Sequence, residues 1–115
     1  MRPLNDYFID GEFITDIGTD GNVVQVVCVP EAGELVGIAA GVQAAATTTP
    51  TTFDVFLNFS DTGVDALLPI MAINTGTVMT LDGTINVEVG DFLNIRTNGE
   101  TGNAPNLHIA WIIRR

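Results

Sequence analysis

Asn106-Leu107-His108-Ile109-Ala110-Trp111-Ile112-Ile113 is the stretch that decides the fold class. Leu107, Ile109, Trp111 and Ile113 alternate with His108, Ala110 and Ile112, and a period of two is the signature of an extended strand with one buried face. The apolar side belongs in a core, so other strands must supply a matching face. Upstream, Phe53-Asp54-Val55-Phe56-Leu57-Asn58-Phe59 repeats the pattern. Phe53, Val55, Leu57 and Phe59 are expected inward and Asp54 and Asn58 outward, with Phe56 the apolar exception on the outer side.

The rest of the chain is cut to the same measure. Val23 to Val29 runs to Pro30, and a turn at Glu31-Ala32-Gly33-Glu34 leads into Leu35-Val36-Gly37-Ile38-Ala39-Ala40-Gly41-Val42. Here Val36, Ile38 and Val42 are expected on one face, and the small residues Gly37, Ala39 and Gly41 on the other, where a backbone can be approached closely. Thr47-Thr48-Thr49-Pro50-Thr51-Thr52 reads as a loop. Asp82-Gly83 is expected to turn Thr77–Leu81 back on Thr84–Val87 as a hairpin. Val89-Gly90-Asp91 turns into Phe92–Thr97, where Leu93 and Ile95 form the inward pair and Phe92 falls outside it. Seven or eight short strands at roughly 8- to 12-residue spacing, with no sustained 3.6-residue period, predict an all-β chain. The architecture expected is an antiparallel β-sandwich of jelly-roll type with an extended N-terminal arm.

Residues 1–22 form that arm, and residues 23–115 the sandwich domain. The arm mixes Asp6, Asp10, Glu12, Asp16 and Asp20 with Leu4, Tyr7, Phe8, Ile9, Phe13, Ile14 and Ile17. Asp10-Gly11 between β-prone runs predicts a short hairpin, with Phe8 facing Phe13 and Tyr7 facing Ile14. A lone two-stranded ribbon is marginal in water, so these side chains need cover from the main domain or from a neighbouring molecule.

Composition narrows the function classes. Fourteen acidic residues against four Arg and no Lys give a formal net charge of -10 in 115 residues. That balance argues against nucleic acid as a partner, because binding to phosphates rests on clustered cations, and against an anionic membrane surface. No apolar run approaches the roughly 20 residues needed to span a bilayer as a helix, and the first residues lack the pattern of a signal peptide. With 46% hydrophobic residues the chain is expected to fold despite its charge. Lone Cys28, inside Val23–Val29, reads as a small buried hydrophobe, and Asn58-Phe59-Ser60 as a chance match to a glycosylation acceptor.

Reactive constellations are thin. Ser60 and His108 are the nearest thing to a nucleophile and base, but no nucleophile-elbow pattern surrounds Ser60. His108, on the polar side of its strand, reads as a solvated or interface imidazole, since no second His or paired Cys accompanies it as a metal ligand. Asp16-Ile17-Gly18-Thr19-Asp20-Gly21-Asn22 superficially matches a calcium loop, yet Gly18 stands at its third position and Val27 where a bidentate Glu is needed. Gly37 and Gly41 lie within a strand and make no phosphate cradle. Spacing alone leaves paired carboxylates for glycoside hydrolysis open, although the acids sit in turns or outward positions. No catalytic residue, cofactor or metal is expected.

What remains is a surface. Phe56, Ile112 and the Gly37–Gly41 strip point away from the expected core, and several outward apolar residues on a small acidic domain suggest a covered surface. A symmetric homo-oligomer is the simplest cover, with Phe56 and Ile112 at a protomer interface.

Three stretches carry a resemblance: Val29-Pro30-Glu31-Ala32-Gly33-Glu34-Leu35-Val36-Gly37-Ile38; Ala44-Ala45-Ala46-Thr47-Thr48-Thr49 leading into Phe53–Asn58; and Val89-Gly90-Asp91-Phe92-Leu93-Asn94-Ile95 followed by Asn98-Gly99. In these, residues 23–113 resemble the small jelly-roll proteins of tailed bacteriophage particles, the capsid decoration (cement) and head-fibre proteins. The resemblance implies a structural virion protein made in the host cytoplasm and bound as a homotrimer to the major capsid protein on the outer capsid surface. Tyr7, Phe8, Ile9, Phe13 and Ile14 would then anchor the arm on the capsid or on a neighbouring protomer. The competing class is a jelly-roll module binding a receptor or carbohydrate, for which an exposed aromatic platform ringed by polar side chains is the expected sign. Trp111 on an inward face and Tyr7 in the arm make that platform hard to supply.

Overall fold

The structure, a computed structural model, describes residues 6–9, 13–21 and 26–115. Among them are ten strands and no helix: β1 (Asp6–Ile9), β2 (Phe13–Ile14), β3 (Val27–Cys28), β4 (Gly33–Gln43), β5 (Thr51–Leu57), β6 (Ser60–Leu68), β7 (Thr75–Leu81), β8 (Ile85–Val87), β9 (Phe92–Thr97) and β10 (Asn106–Arg114). Every pairing is antiparallel. In the first sheet β10 lies between β4 on one side and β1 and β2, end to end, on the other. The far side of β4 carries β7 and β8, also end to end. In the second sheet the order is β3, β9, β5, β6. The last residues of β7 cross over to β6 through Ala66–Leu81 and Leu67–Thr80, linking the two sheets. The chain is an all-β antiparallel sandwich of jelly-roll type.

Alternation fills the space between the sheets. Leu107, Trp111 and Ile113 are fully buried and Ile109 nearly so; from the second sheet come Phe53, Val55, Leu93 and Ile95. Leu35, Ile38, Leu68 and Met79 complete the centre. The inward set on β4 differs from expectation by one residue. Between Ile112 and Ile113, β10 advances one residue while β4 goes from Gly37 to Leu35, leaving Val36 as a bulge. Leu35 is therefore buried and Val36 only half-buried, because an inserted residue reverses which side chains face the core.

Three local readings need correction. β1 and β2 do not pair with each other: Phe8 lies opposite Ile112 and Phe13 opposite His108. β1 and β2 thus lie along the edge of β10, which gives their backbone a partner and their apolar side chains a core that a free ribbon lacks. The Asp10-Gly11 turn itself falls outside the described residues, as does the start of the expected Val23–Val29 strand. At Asp82-Gly83 the chain turns a corner and makes no hairpin. Leu81 pairs with Ala66 of the second sheet and Ile85 with Leu35 of the first. Cys28 is exposed, because Val27 and Val29 on either side take the inward positions.

At one end of the sandwich the Thr-rich loop is tied to residues 98–103 by hydroxyls. Thr101 Oγ1 accepts from the Thr48 amide at 2.9 Å, the Thr49 hydroxyl donates to the Glu100 carbonyl at 2.6 Å, and the Thr52 hydroxyl donates to the Glu100 carboxylate at 2.7 Å. Gly18 passes so close to this corner that a Cβ there would stand 2.1 Å from the Asn103 carbonyl oxygen. Asp16, from the calcium-like stretch, accepts the Thr19 hydroxyl at 2.7 Å within its turn.

Candidate binding face

The outer face of the first sheet is built from residues that alternation excludes from the core. One cross-strand row runs Phe13, His108, Gly41, Gly76, and another runs Phe8, Ile112, Gly37. Between them Ala110, Ala39 and Val78 stand side by side. His108 and Ile112 are four residues apart on β10, so the two rows are separated by roughly 13 Å.

The two ends of this face differ chemically. At the first, the Phe13 ring, 46% exposed, lies against His108 with centroids 4.6 Å apart and planes at 54°. His108 Nε2 is 2.8 Å from Gln43 Oε1. Beyond His108 the sheet is bare: a Cβ built on Gly41 would meet nothing within 4 Å. An aromatic ring, an imidazole and an amide thus border open backbone. At the other end the surface is apolar throughout. Ile112 and Val78 close over Gly37, where a Cβ would lie 2.9 Å from Val78 Cγ1 and 3.6 Å from Ile112 Cδ1. Phe8, 67% exposed, flanks them.

The expected arm contacts divide between two roles. Ile14 is buried, and Tyr7 and Ile9 are half-buried against the chain's own core. The Tyr7 hydroxyl donates to the Glu31 carbonyl, and Arg115 stacks over its ring at 4.8 Å while pairing with Glu31 at 2.9 Å. Burial pushes the Tyr7 phenol up, partly offset by that hydrogen bond. Arg114 donates to both Asp6 carboxylate oxygens, at 3.1 and 3.4 Å, which raises its own pKa. Only Phe8 and Phe13 of the five turn outward. Phe56 lies on the outer face of the second sheet, half-buried, with the Arg96 guanidinium 5.9 Å from its ring centre. Phe56 and Ile112 are therefore on opposite faces.

That second outer face is acidic. Asp54 and Asp65 are directly opposed across β5 and β6, with Arg96 3.4 Å from Asp54. Burial, then the Asp54 and Asp82 charges, hold the Asp65 carboxyl above its ordinary range.

Two features escaped the sequence reading. The closeness of Phe13, His108, Gln43 and Gly41 follows from strand register, which no local pattern reveals. Phe59, expected inward, is instead 64% exposed, because β5 ends at Leu57 and Asn58-Phe59 forms the turn into β6. An Asn just after an alternating run was the available signal.

No family model and no curated protein matches the chain. Among solved structures it is similar to a Podospora anserina GH26-CBM35 β-(1,4)-mannanase, with a TM-score of 0.54 and 10% identity over 92% of this chain and 27% of that one. A Paenibacillus cycloisomaltooligosaccharide glucanotransferase complexed with cycloisomaltoheptaose gives 0.55 and 10% over 95% and 18%. A Paenibacillus barengoltzii β-glucosidase gives 0.51 and 14% over 88% and 10%. At these identities the likeness is one of fold, and the chain spans about a quarter or less of each protein.

Proposed function

We propose that the domain is a non-catalytic recognition module that holds a neutral carbohydrate on the outer face of its first sheet. The observation that carries this reading is the Phe13 ring set against His108, itself within hydrogen-bond distance of Gln43, beside the open backbone at Gly41. A sugar ring is flat and amphipathic. It can lie on exposed backbone with its C–H face against an aromatic ring while its hydroxyls meet an imidazole and an amide, an arrangement of few polar groups around an apolar platform. A net charge of -10 repels anionic polysaccharides, leaving neutral hexose chains as the ligand class. The fold's recurrence within a mannanase, a β-glucosidase and a glucanotransferase supports the same class.

The test is NMR titration with manno-, cello- and isomalto-oligosaccharides. Binding should perturb Phe13, His108 and Gln43, and weaken at least tenfold in Phe13→Ala. Gly41→Val, which puts a branched side chain into open space, should leave the fold intact and also abolish binding. No binding at millimolar ligand, or full binding by both variants, overturns the proposal.

A second reading is favoured by a different observation, the apolar surface of Phe8, Ile112 and Val78 at the other end of the face. This is the virion reading: a capsid decoration protein forming a homotrimer on the outer shell, with the major capsid protein as partner. A threefold interface is heterologous, so Phe56 and Ile112 on opposite faces can both contribute to it. A concentration-independent trimer in light scattering, lost in Ile112→Asp, is the expected result. A monomer at all concentrations removes this reading.

A further inference from the structure

The β5–β6 turn carries a side chain that its backbone disfavours. Asn58 and Phe59 have φ of 52° and 67° and join the paired residues Leu57 and Ser60. Two left-handed residues in a two-residue hairpin call for Asn-Gly. Asn suits the first position, but Phe at the second brings its Cβ against the backbone, where Gly would not. Strain of this kind persists where surrounding structure enforces it, and it gathers at functional sites.

Burial does not account for the ring, since Phe59 is 64% exposed. It packs instead on another outward ring, that of Phe92, itself 40% exposed, with centroids 5.5 Å apart and planes at 42°. Three hydrogen bonds brace the pair. The Asn58 amide donates to the Phe92 carbonyl at 2.8 Å, the Phe92 amide to Asn58 Oδ1 at 2.9 Å, and Asn58 Nδ2 to Asp91 Oδ1 at 3.0 Å. Asp91 in turn accepts the Glu88 amide at 2.8 Å, and the bonds from Asn58 and Glu88 lower its pKa, keeping it anionic. The result is a rigid, open pair of aromatic rings, with Val89, 70% exposed, in the adjoining turn. Asp91 precedes Phe92 and is bonded to Asn58, Glu88 lies in the same turn, and Asp61 follows the β5–β6 turn by one residue, so the segments that carry the two rings are acidic.

We propose that the Phe59–Phe92 pair is a docking knob for a protein partner that offers an apolar pocket rimmed by Lys and Arg. Preorganised aromatic anchors dominate interface energetics, and the sign of the rim selects the partner. A second copy of this chain would bring acids against acids, so charge complementarity points to a different, basic chain. This surface includes none of the residues of the carbohydrate face, and the two proposals stand or fall separately.

An amphipathic Leu/Lys peptide serves as the probe, with its Leu/Glu counterpart as the control and NMR as the readout. The Leu/Lys peptide should shift the Phe59 and Phe92 ring signals and bind more weakly at high salt, and the Leu/Glu peptide should not bind. Phe59→Gly and Phe59→Asn keep the net charge and suit a left-handed backbone. Both should weaken binding at least tenfold, and Phe59→Gly should raise Tm. Gly41→Val should bind the peptide as the parent does. The proposal is overturned if both Phe59 variants bind normally, if the Leu/Glu peptide binds equally well, or if Phe59→Gly lowers Tm, which would make the ring a structural plug. Self-association abolished by Phe59→Asn would overturn it in favour of a second copy.

Discussion

The two outer faces of the sandwich were left over by the same rule and filled in opposite ways. On the second sheet the outward residues include Asp54, Asp65 and Arg96, a charged set interrupted by the rings of Phe56 and Phe92. On the first they include Phe8, Ala110, Ile112, Ala39 and Val78, with glycines between them and Phe13, His108 and Gln43 at one end. Folding requires only that the inward positions be apolar, so it is indifferent to both sets. The acidic face is the more polar of the two, its carboxylates partly buried beside Phe56. The apolar one exposes hydrophobic area that adds nothing to the core, the kind of surface that contact with another molecule would cover.

The largest expected effect separates inward from outward on a single strand. Trp111 is fully buried, whereas its neighbour Ile112 lies half-buried on the outer face. Trp111→Ala should cost about 3–5 kcal/mol through lost burial and the cavity left behind, a large share of the stability of a domain this size. Ile112→Ala should cost about 1 kcal/mol or less, because part of that side chain already faces water. Urea midpoints compare the two. Similar losses would mean that the outer face is structural in its own right. Trp111 also carries a buried Nε1 with no protein partner among the described residues. Trp111→Phe removes that orphan donor, so it should cost less than its volume change implies.

The inward set was the readable part of the fold. Leu107, Ile109, Trp111 and Ile113, with Phe53, Val55, Leu93 and Ile95, follow from period two alone, and the jelly-roll class follows from strand length and turn spacing. Val36 was misplaced because a bulge is a property of pairing: nothing in Leu35-Val36-Gly37 says which residue β10 will skip. The arm was misread for a similar reason. Asp10-Gly11 is a strong local turn signal, but a ladder against β10 and a place for Ile14 in the core outweigh a marginal ribbon. Tyr7, Phe8, Ile9, Phe13 and Ile14 were legible as a sticky segment, and their division into inward and outward members was not. The candidate site on the first sheet needs residues 13, 43, 41 and 108 to lie together, and strand register alone brings them there.

A smaller effect concerns how the apolar face is framed. The arm is held by Arg114 on Asp6 and by Arg115 on Tyr7 and Glu31, all at the surface. Exposed pairs are weak and screened by salt. Substituting both arginines by Gln should speed hydrogen exchange in β1 while leaving β4 and β5 unchanged, and high salt should do the same to the parent protein. Uniform acceleration across all strands would instead make the arm part of the global folding unit.

The smallest effect tests the acidic face by charge alone. Asp65 faces Asp54 across the ladder, and like charges in that position destabilise a sheet. Burial and the neighbouring carboxylates raise the Asp65 pKa in the folded chain. The folded state therefore holds this proton more tightly than the unfolded one, so Asp65 makes stability fall as pH rises through the raised folded value. Asp65→Asn removes the charge and keeps the shape. It should gain about 0.5 kcal/mol at neutral pH, and the gain should vanish below the ordinary carboxylate range, where the parent is protonated in both states. Equal stability of the two proteins at every pH would mean that Arg96, 3.4 Å from Asp54, already cancels the repulsion. The acidic face would then be as neutral to folding as the apolar one.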